Sequence, residues 1–176
     1  RKELAKDEWR GHSDTETFLA ACEAWGIQMA LTRSVGMFAI ALWDKSDRSL
    51  TLARDRFGEK PLFYGWQSGS FIFGSELKSL IIHPDFSPNQ NYDSLSTFLS
   101  LGYIPKPYTI WDGIKKLEPG QLITVNINSN NSFNLETDSY WSLSDVIISS
   151  QKNQFLGTAD QAIRKLESLI IKSVKG

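Results

Sequence analysis

Between Gly36 and Lys78 the chain alternates short apolar runs with charged, glycine-marked turns, and no other stretch constrains the fold as strongly. Gly36-Met37-Phe38-Ala39-Ile40-Ala41-Leu42-Trp43-Asp44 is an apolar run closed by an acidic turn. Ala53-Arg54-Asp55-Arg56-Phe57-Gly58-Glu59-Lys60-Pro61-Leu62-Phe63-Tyr64 ends one run, turns on charge and glycine, and begins another. Phe71-Ile72-Phe73-Gly74-Ser75-Glu76-Leu77-Lys78 passes from a run straight into helix-forming sequence. Short apolar segments bounded by turn residues read as strands buried against something else. The spacing predicts strands at about 37–43, 49–54, 61–66 and 70–75, with turns at Lys45-Ser46-Asp47, Arg56-Phe57-Gly58 and Gln67-Ser68-Gly69. Connections this short favour antiparallel hairpins.

Helix signals precede this sheet. Ser13-Asp14-Thr15-Glu16 fits a capping box, in which the serine oxygen takes the N–H at the third helical position and Glu16 reaches back. Phe18, Cys22 and Trp25, with Leu19 beside them, then form an apolar stripe at helical spacing. Gly26 ends that helix, and Ile27 to Arg33 suits a second, short one. Arg1-Lys2-Glu3-Leu4-Ala5-Lys6 is helix-forming with no N-cap and no initiating methionine, so the chain is expected to start inside a helix of a longer protein.

After Ser75, residues 76–82 are predicted helical until His83-Pro84 stops them, and 85–91 are loop. Asn91-Tyr92-Asp93 opens a helix expected to turn Leu95, Phe98 and Leu99 inward and to end at Gly102. The prolines of Ile104-Pro105-Lys106-Pro107-Tyr108 predict extended backbone. Leu117-Glu118-Pro119-Gly120 is a turn into an alternating strand from Gln121 to Ile127, and Ser129-Asn130-Asn131-Ser132 turns back into Phe133 to Leu135, another hairpin. Ser142 to Gly157 is polar and serine-rich and reads as a linker. Thr158-Ala159-Asp160-Gln161 is a second capping box, opening a helix striped with Ile163, Leu166, Ile170 and Val174. That stripe should pack on a domain this chain scarcely includes.

A chain of 176 residues suits one domain plus an appendage. A net charge of -1, with no basic face or run, argues against nucleic-acid and membrane-surface roles, and the apolar runs fall far short of the roughly 20 residues of a membrane helix. One cysteine excludes a disulfide framework, and with no signal peptide a reducing cytoplasm is the expected setting. The Asn130-Asn131-Ser132 sequon then reads as a polar turn. Neither His12 nor His83 has partners at metal-ligand spacing, and no glycine-rich phosphate loop is present, so neither a metal site nor a nucleotide cradle is expected. Ser75-Glu76-Leu77-Lys78 matches the Ser-x-x-Lys of penicillin-binding enzymes but lacks the partner motifs, and the match is accidental.

Four places remain for chemistry. Cys22 is a candidate nucleophile, yet it lies mid-helix on an apolar stripe with neither histidine placed to activate it, which describes a core cysteine. Asp14 is a carboxylate in a first helical turn, favourable through the helix dipole alone or available to a cation. Arg54 and Asp55, with Gly58 and Pro61, mark a charged turn whose glycine suggests a backbone angle other residues resist. Glu76, from its residues alone, is a good first-turn acid.

Taken in order from Arg1 to about Trp141, these pieces resemble the class II (N-terminal nucleophile) glutaminase domain of asparagine synthetases. The resemblance implies an α+β fold, a four-layer αββα sandwich of antiparallel sheets, with residues 1–150 as a glutaminase domain lacking its first strands. Residues 151–176 would be a linker and the first helix of an ATP-dependent synthetase domain. It places Asp14 where the family binds the α-ammonium of glutamine, Arg54, Asp55 and Gly58 in a loop framing that pocket, and Glu76 toward the domain interface along the ammonia route. The family's nucleophile is the cysteine at the mature N-terminus, which precedes the position matching Arg1, so no catalytic residue is expected in this chain. The implied partners are glutamine and the synthetase domain of the same polypeptide, with a homodimer as an open option. ATP and Mg2+ would act in that second domain, amidating aspartate or a related carboxylate. Two alternatives stand beside this reading: a cysteine-less scaffold domain, as in β-lactam synthetases, and a non-catalytic interaction module.

Overall fold

The computed structural model describes residues 1, 3–4, 8–127 and 133–175, in two compact units, Arg1–Trp141 and Ser142–Gly176. The first holds α1 (Asp14–Trp25), α2 (Ile27–Arg33), β1 (Ala39–Asp44), β2 (Ser49–Arg54), β3 (Phe63–Gln67), β4 (Ser70–Gly74), α3 (Leu77–Ile81), α4 (Tyr92–Leu101), β5 (Ile114–Lys116), β6 (Gln121–Ile127) and β7 (Phe133–Ser139). The second holds α5 (Leu143–Lys152) and α6 (Ala159–Lys175).

The strands form two antiparallel sheets, ordered β1-β2-β6-β7 and β4-β3-β5. Alternation decides which sheet face each side chain covers. Leu52 of β2 and Ile123 of β6 turn one way and join Leu62 and Leu117, with Tyr64 of β3 and Phe71 of β4 packed against them, so this cluster lies between the sheets. Their neighbours Ala53 and Leu122 turn the other way, onto Leu31 of α2 and Tyr140. On the second sheet, Ile72 and Ile114 turn away from the shared cluster and meet Leu80 of α3 and Trp111. Each fully buried large aliphatic side chain contributes about 1.5–3 kcal/mol. The α+β class with antiparallel sheets is as expected from the sequence.

Three local expectations need correction. The turn at 56–58 does not join a hairpin, because β2 and β3 belong to different sheets. The Asp55 side chain takes the amides of Phe57, Glu59 and Lys60, which turns the chain out of the first ladder. By contrast, β3 and β4 do form a tight hairpin, pairing Gln67 with Ser70 across Ser68 and Gly69, both at positive φ. Residues 104–108 are not extended throughout: Lys106-Pro107 is a turn with a cis peptide bond, and Tyr108 N–H donates to the Pro105 carbonyl at 3.1 Å. The stretch read as linker carries α5, whose first turn Ser142 caps by accepting the Asp145 N–H.

The second capping box closes as its sequence implies. Thr158 N–H donates to Gln161 Oε1 at 2.9 Å, and Gln161 N–H donates to Thr158 Oγ1 at 3.4 Å. The expected turn and sequon at Ser129–Ser132 lie outside the described residues, as do Lys2, Ala5 and Lys6 of the helix expected over Arg1–Lys6. At the described positions Leu4 N–H donates to the Arg1 carbonyl at 3.1 Å, which closes a turn.

Candidate functional site

Asp14 sits at the first position of α1 and is exposed. Its Oδ1 accepts the Thr15 N–H at 2.8 Å, and Ser13 Oγ accepts the same N–H at 3.1 Å, one position earlier than a capping box requires. Glu16 takes the amides of Arg10 (2.9 Å) and Gly11 (3.0 Å), tying the preceding loop to the helix start. The result is a solvent-facing carboxylate fixed at a helix N-terminus, able to pair with an ammonium group. Behind it, α1 and α2 pack through Ala20, Ala21 and Ala30, whose small side chains let the helices approach closely.

The turn from Arg54 to Lys60 is held by side chain to backbone bonds. Asp55 is 1% exposed, and its carboxylate accepts N–H groups from Phe57 (3.2 Å), Glu59 (2.9 Å), Lys60 (2.9 Å) and Phe38 (3.3 Å). Burial alone would push its pKa up, but the four backbone donors outweigh that and hold it below the ordinary carboxylate range. Arg54 spreads its guanidinium over three carbonyls, of Lys60 (2.8 Å), Leu117 (2.6 Å) and Gly58 (2.6 Å). Arg54 and Asp55 thus both bind the turn, each through its own backbone partners. Gly58 has φ +68, and a Cβ there would lie 2.8 Å from Pro119 Cγ and 3.0 Å from Arg54 Cζ. Glycine is required twice over, by backbone angle and by space.

Sequence reading passed over Tyr140 and Arg56. Tyr140 OH donates to the Arg54 carbonyl at 2.7 Å, bringing the chain after β7 onto the turn. Burial first, then the nearby Asp55 charge, pushes its pKa up to about 12, with Arg56 opposing, so the phenol remains a donor. Arg56 donates from Nη2 to the Thr32 carbonyl at 2.6 Å and so links α2 to the turn. Neither residue belongs to a local motif. An aromatic with one polar atom, just after a strand, was the only available signal for Tyr140.

Cys22 lies half-buried against Leu4, Ala20, Ala21 and Ala30, beside Trp9, Phe18 and Trp25. Burial, with the Glu23 charge adding to it, pushes its pKa up to about 11, the opposite of what a nucleophilic thiol needs. Glu76 is exposed at the start of α3, 3.8 Å from Lys78. His83 lies 3.9 Å from Asp85, while Ser70 Oγ donates to the same carboxylate at 2.5 Å; the acid stands between the other two, so no histidine activates the serine. Among the described residues no three His, Cys, Asp or Glu side chains gather to hold a metal, and no helix is long and apolar enough to cross a membrane.

This helix pair, the anchored turn and the two sheets coincide with a known family: residues 1–141 match the glutamine amidotransferase domain. The chain belongs to the class II glutamine amidotransferase domains of the asparagine synthetase family. It is 34% identical over 177 residues to asparagine synthetase [glutamine-hydrolyzing] 3 of Bacillus subtilis (strain 168), covering 96% of this chain and 28% of that protein. Asparagine synthetase [glutamine-hydrolyzing] 2 of the same organism is 36% identical over 141 residues, 77% of this chain and 18% of its own length. A putative asparagine synthetase 2 of Methanocaldococcus jannaschii is 31% identical over 135 residues, 76% of this chain and 25% of that protein. This amidotransferase chain thus spans about a quarter of the length of these relatives. Its family match ends at Trp141, the last residue of the first compact unit.

Proposed function

We propose that this domain serves a glutamine-dependent amide ligase, in which glutamine hydrolysis supplies ammonia for ATP-dependent amidation of aspartate or a related carboxylate. The match of the whole first unit to a glutamine amidotransferase domain carries this reading. Asp14 binds the α-ammonium of glutamine, and the Arg54–Lys60 turn gives that pocket a rigid wall. The packing of α2 and α3 on opposite faces of the paired sheets supports an αββα sandwich. The nucleophile is an N-terminal cysteine of the parent polypeptide, since Cys22 is held as a thiol. ATP and Mg2+ belong to a synthetase domain, of which α6 is the first helix. Keeping ammonia between the two domains preserves it as the neutral nucleophile, because in water near pH 7 it is mostly protonated.

Asp14→Asn in the full-length polypeptide tests the reading. Losing a charge-assisted contact of about 1.5–3 kcal/mol should raise the KM for glutamine roughly tenfold or more and leave synthesis from free ammonia unchanged. Equal loss with both nitrogen donors would assign Asp14 to folding, through its helix start.

A further inference from the structure

α4 and the residues just after it leave several large apolar side chains exposed. Tyr92 and Leu99, at i and i+7, share one side of the helix, and Tyr103 follows just past its Gly102 cap; they are 75%, 76% and 59% exposed. Leu101 and Tyr108 flank them, also exposed. The sequence pattern pointed Phe98 and Leu99 to the core, but the helix is rotated so that Ser94 is buried in their place. This exposure is not fraying. Asn91 Oδ1 accepts the Ser94 N–H at 2.8 Å, Asn91 N–H donates to the Ile110 carbonyl at 2.8 Å, and Gly102 closes the helix in the left-handed conformation. Between its ends α4 carries a single charge, Asp93, its other polar residues being serine and threonine. A helix meant for water would carry charge on this face.

We infer that the Tyr92–Leu99–Tyr103 face docks the synthetase domain of the same polypeptide. This rests on the proposed function and names the surface through which the two domains meet. Area decides between that occupant and a second copy. A helix of 10 residues is about 15 Å long and 10–12 Å across. It therefore offers on the order of a few hundred Å² to a partner, against the ~800 Å² per partner of a stable interface between separate molecules. A domain held on the same chain sits at an effective concentration near millimolar and needs no such area. The relatives, with most of their length outside the matched region, have chain enough for that domain.

The test is hydroxyl-radical footprinting of the full-length polypeptide and of its Leu99→Asp variant, a change at an exposed site. Oxidation of Tyr92 and Tyr103 should be at least threefold slower in the wild type than in the variant. The variant should also yield at least fivefold less amide per glutamine consumed, with synthesis from free ammonia within twofold of wild type. Equal oxidation in the two proteins would overturn the inference. So would protection that grows with protein concentration together with a light-scattering mass of two copies, since the occupant would then be a second molecule. A wild type that consumes no glutamine would instead sink the functional reading, and the footprint would still decide the docking face.

Discussion

Asp55 and Cys22 are both acids that burial pushes toward their neutral forms, and their partners decide the outcome. Asp55 gathers four backbone N–H donors, so its pKa falls below the unfolded value despite burial. Stability from this group is therefore complete above the ordinary aspartate range and is lost as pH falls through the folded pKa. Asp55→Asn, which replaces one acceptor oxygen with a donor, should cost about 3 kcal/mol or more at pH 7. Urea unfolding should show that deficit shrinking near pH 3, and a deficit independent of pH would mean the charge is not what holds the turn. Cys22 has no such donors, and its thiol is pushed up to about 11. The folded chain should react with iodoacetamide at pH 8 much more slowly than the urea-unfolded chain. Alone it should release ammonia from glutamine at the no-enzyme rate, with Cys22→Ala no different.

At the scale of elements, the 54–60 turn and the α1–α2 junction each depend on a glycine at positive φ, for different reasons. Gly26 has φ +78, and a methyl group added there would meet nothing within 4 Å, so alanine faces backbone strain alone. Gly58 adds a clash with Pro119 and Arg54 to the same strain. Gly26→Ala should lower stability by about 1 kcal/mol and Gly58→Ala by about 2–4 kcal/mol, read from thermal unfolding of the two variants side by side. Equal losses would show that the turn around Gly58 yields more easily than its hydrogen bonds suggest. The helices repeat the lesson: the Thr158–Gln161 box is complete in four consecutive residues and closes as read. The orientation of α4 depended instead on the bonds that Asn91 makes to Ser94 and Ile110.

At the scale of the whole molecule, most of the exposed large apolar side chains among the described residues lie outside the strands. Ile163, Leu166, Ile170 and Val174 all lie exposed on α6, as a helix awaiting a partner would leave them. Covering four such side chains is worth about 1.5–3 kcal/mol each, so in the full-length polypeptide the amides of 162–174 should be strongly protected from hydrogen exchange. In the 176-residue chain the same amides should exchange far faster, or be protected only where the helix docks on another copy. Equal, strong protection in a monomeric chain would attach α6 to the amidotransferase domain.

By itself the sequence determined what is local: strand alternation at 49–54 and 121–127, the helix starts at Ser13 and Thr158, Gly26 and Gly102 as stops, and Cys22 on a half-buried helix face. These follow from propensities and periodicities spanning a few residues, which the surrounding fold here did not override. What only the tertiary structure decided involves partners distant in sequence. The divergence of β2 and β3 into separate sheets, the three-residue β5, the outward roll of Leu99 and the Tyr140 bond to Arg54 are all of this kind. The candidate site divides along the same line. The place of Asp14 at the start of α1 was legible because a helix start is a local motif, while its candidacy for glutamine rested on the family resemblance. The separate roles of Arg54 and Asp55 were not legible. A charged pair in a turn looks the same whether its members bind each other or the backbone, until the carbonyl of Leu117 and the amide of Phe38 are brought beside them.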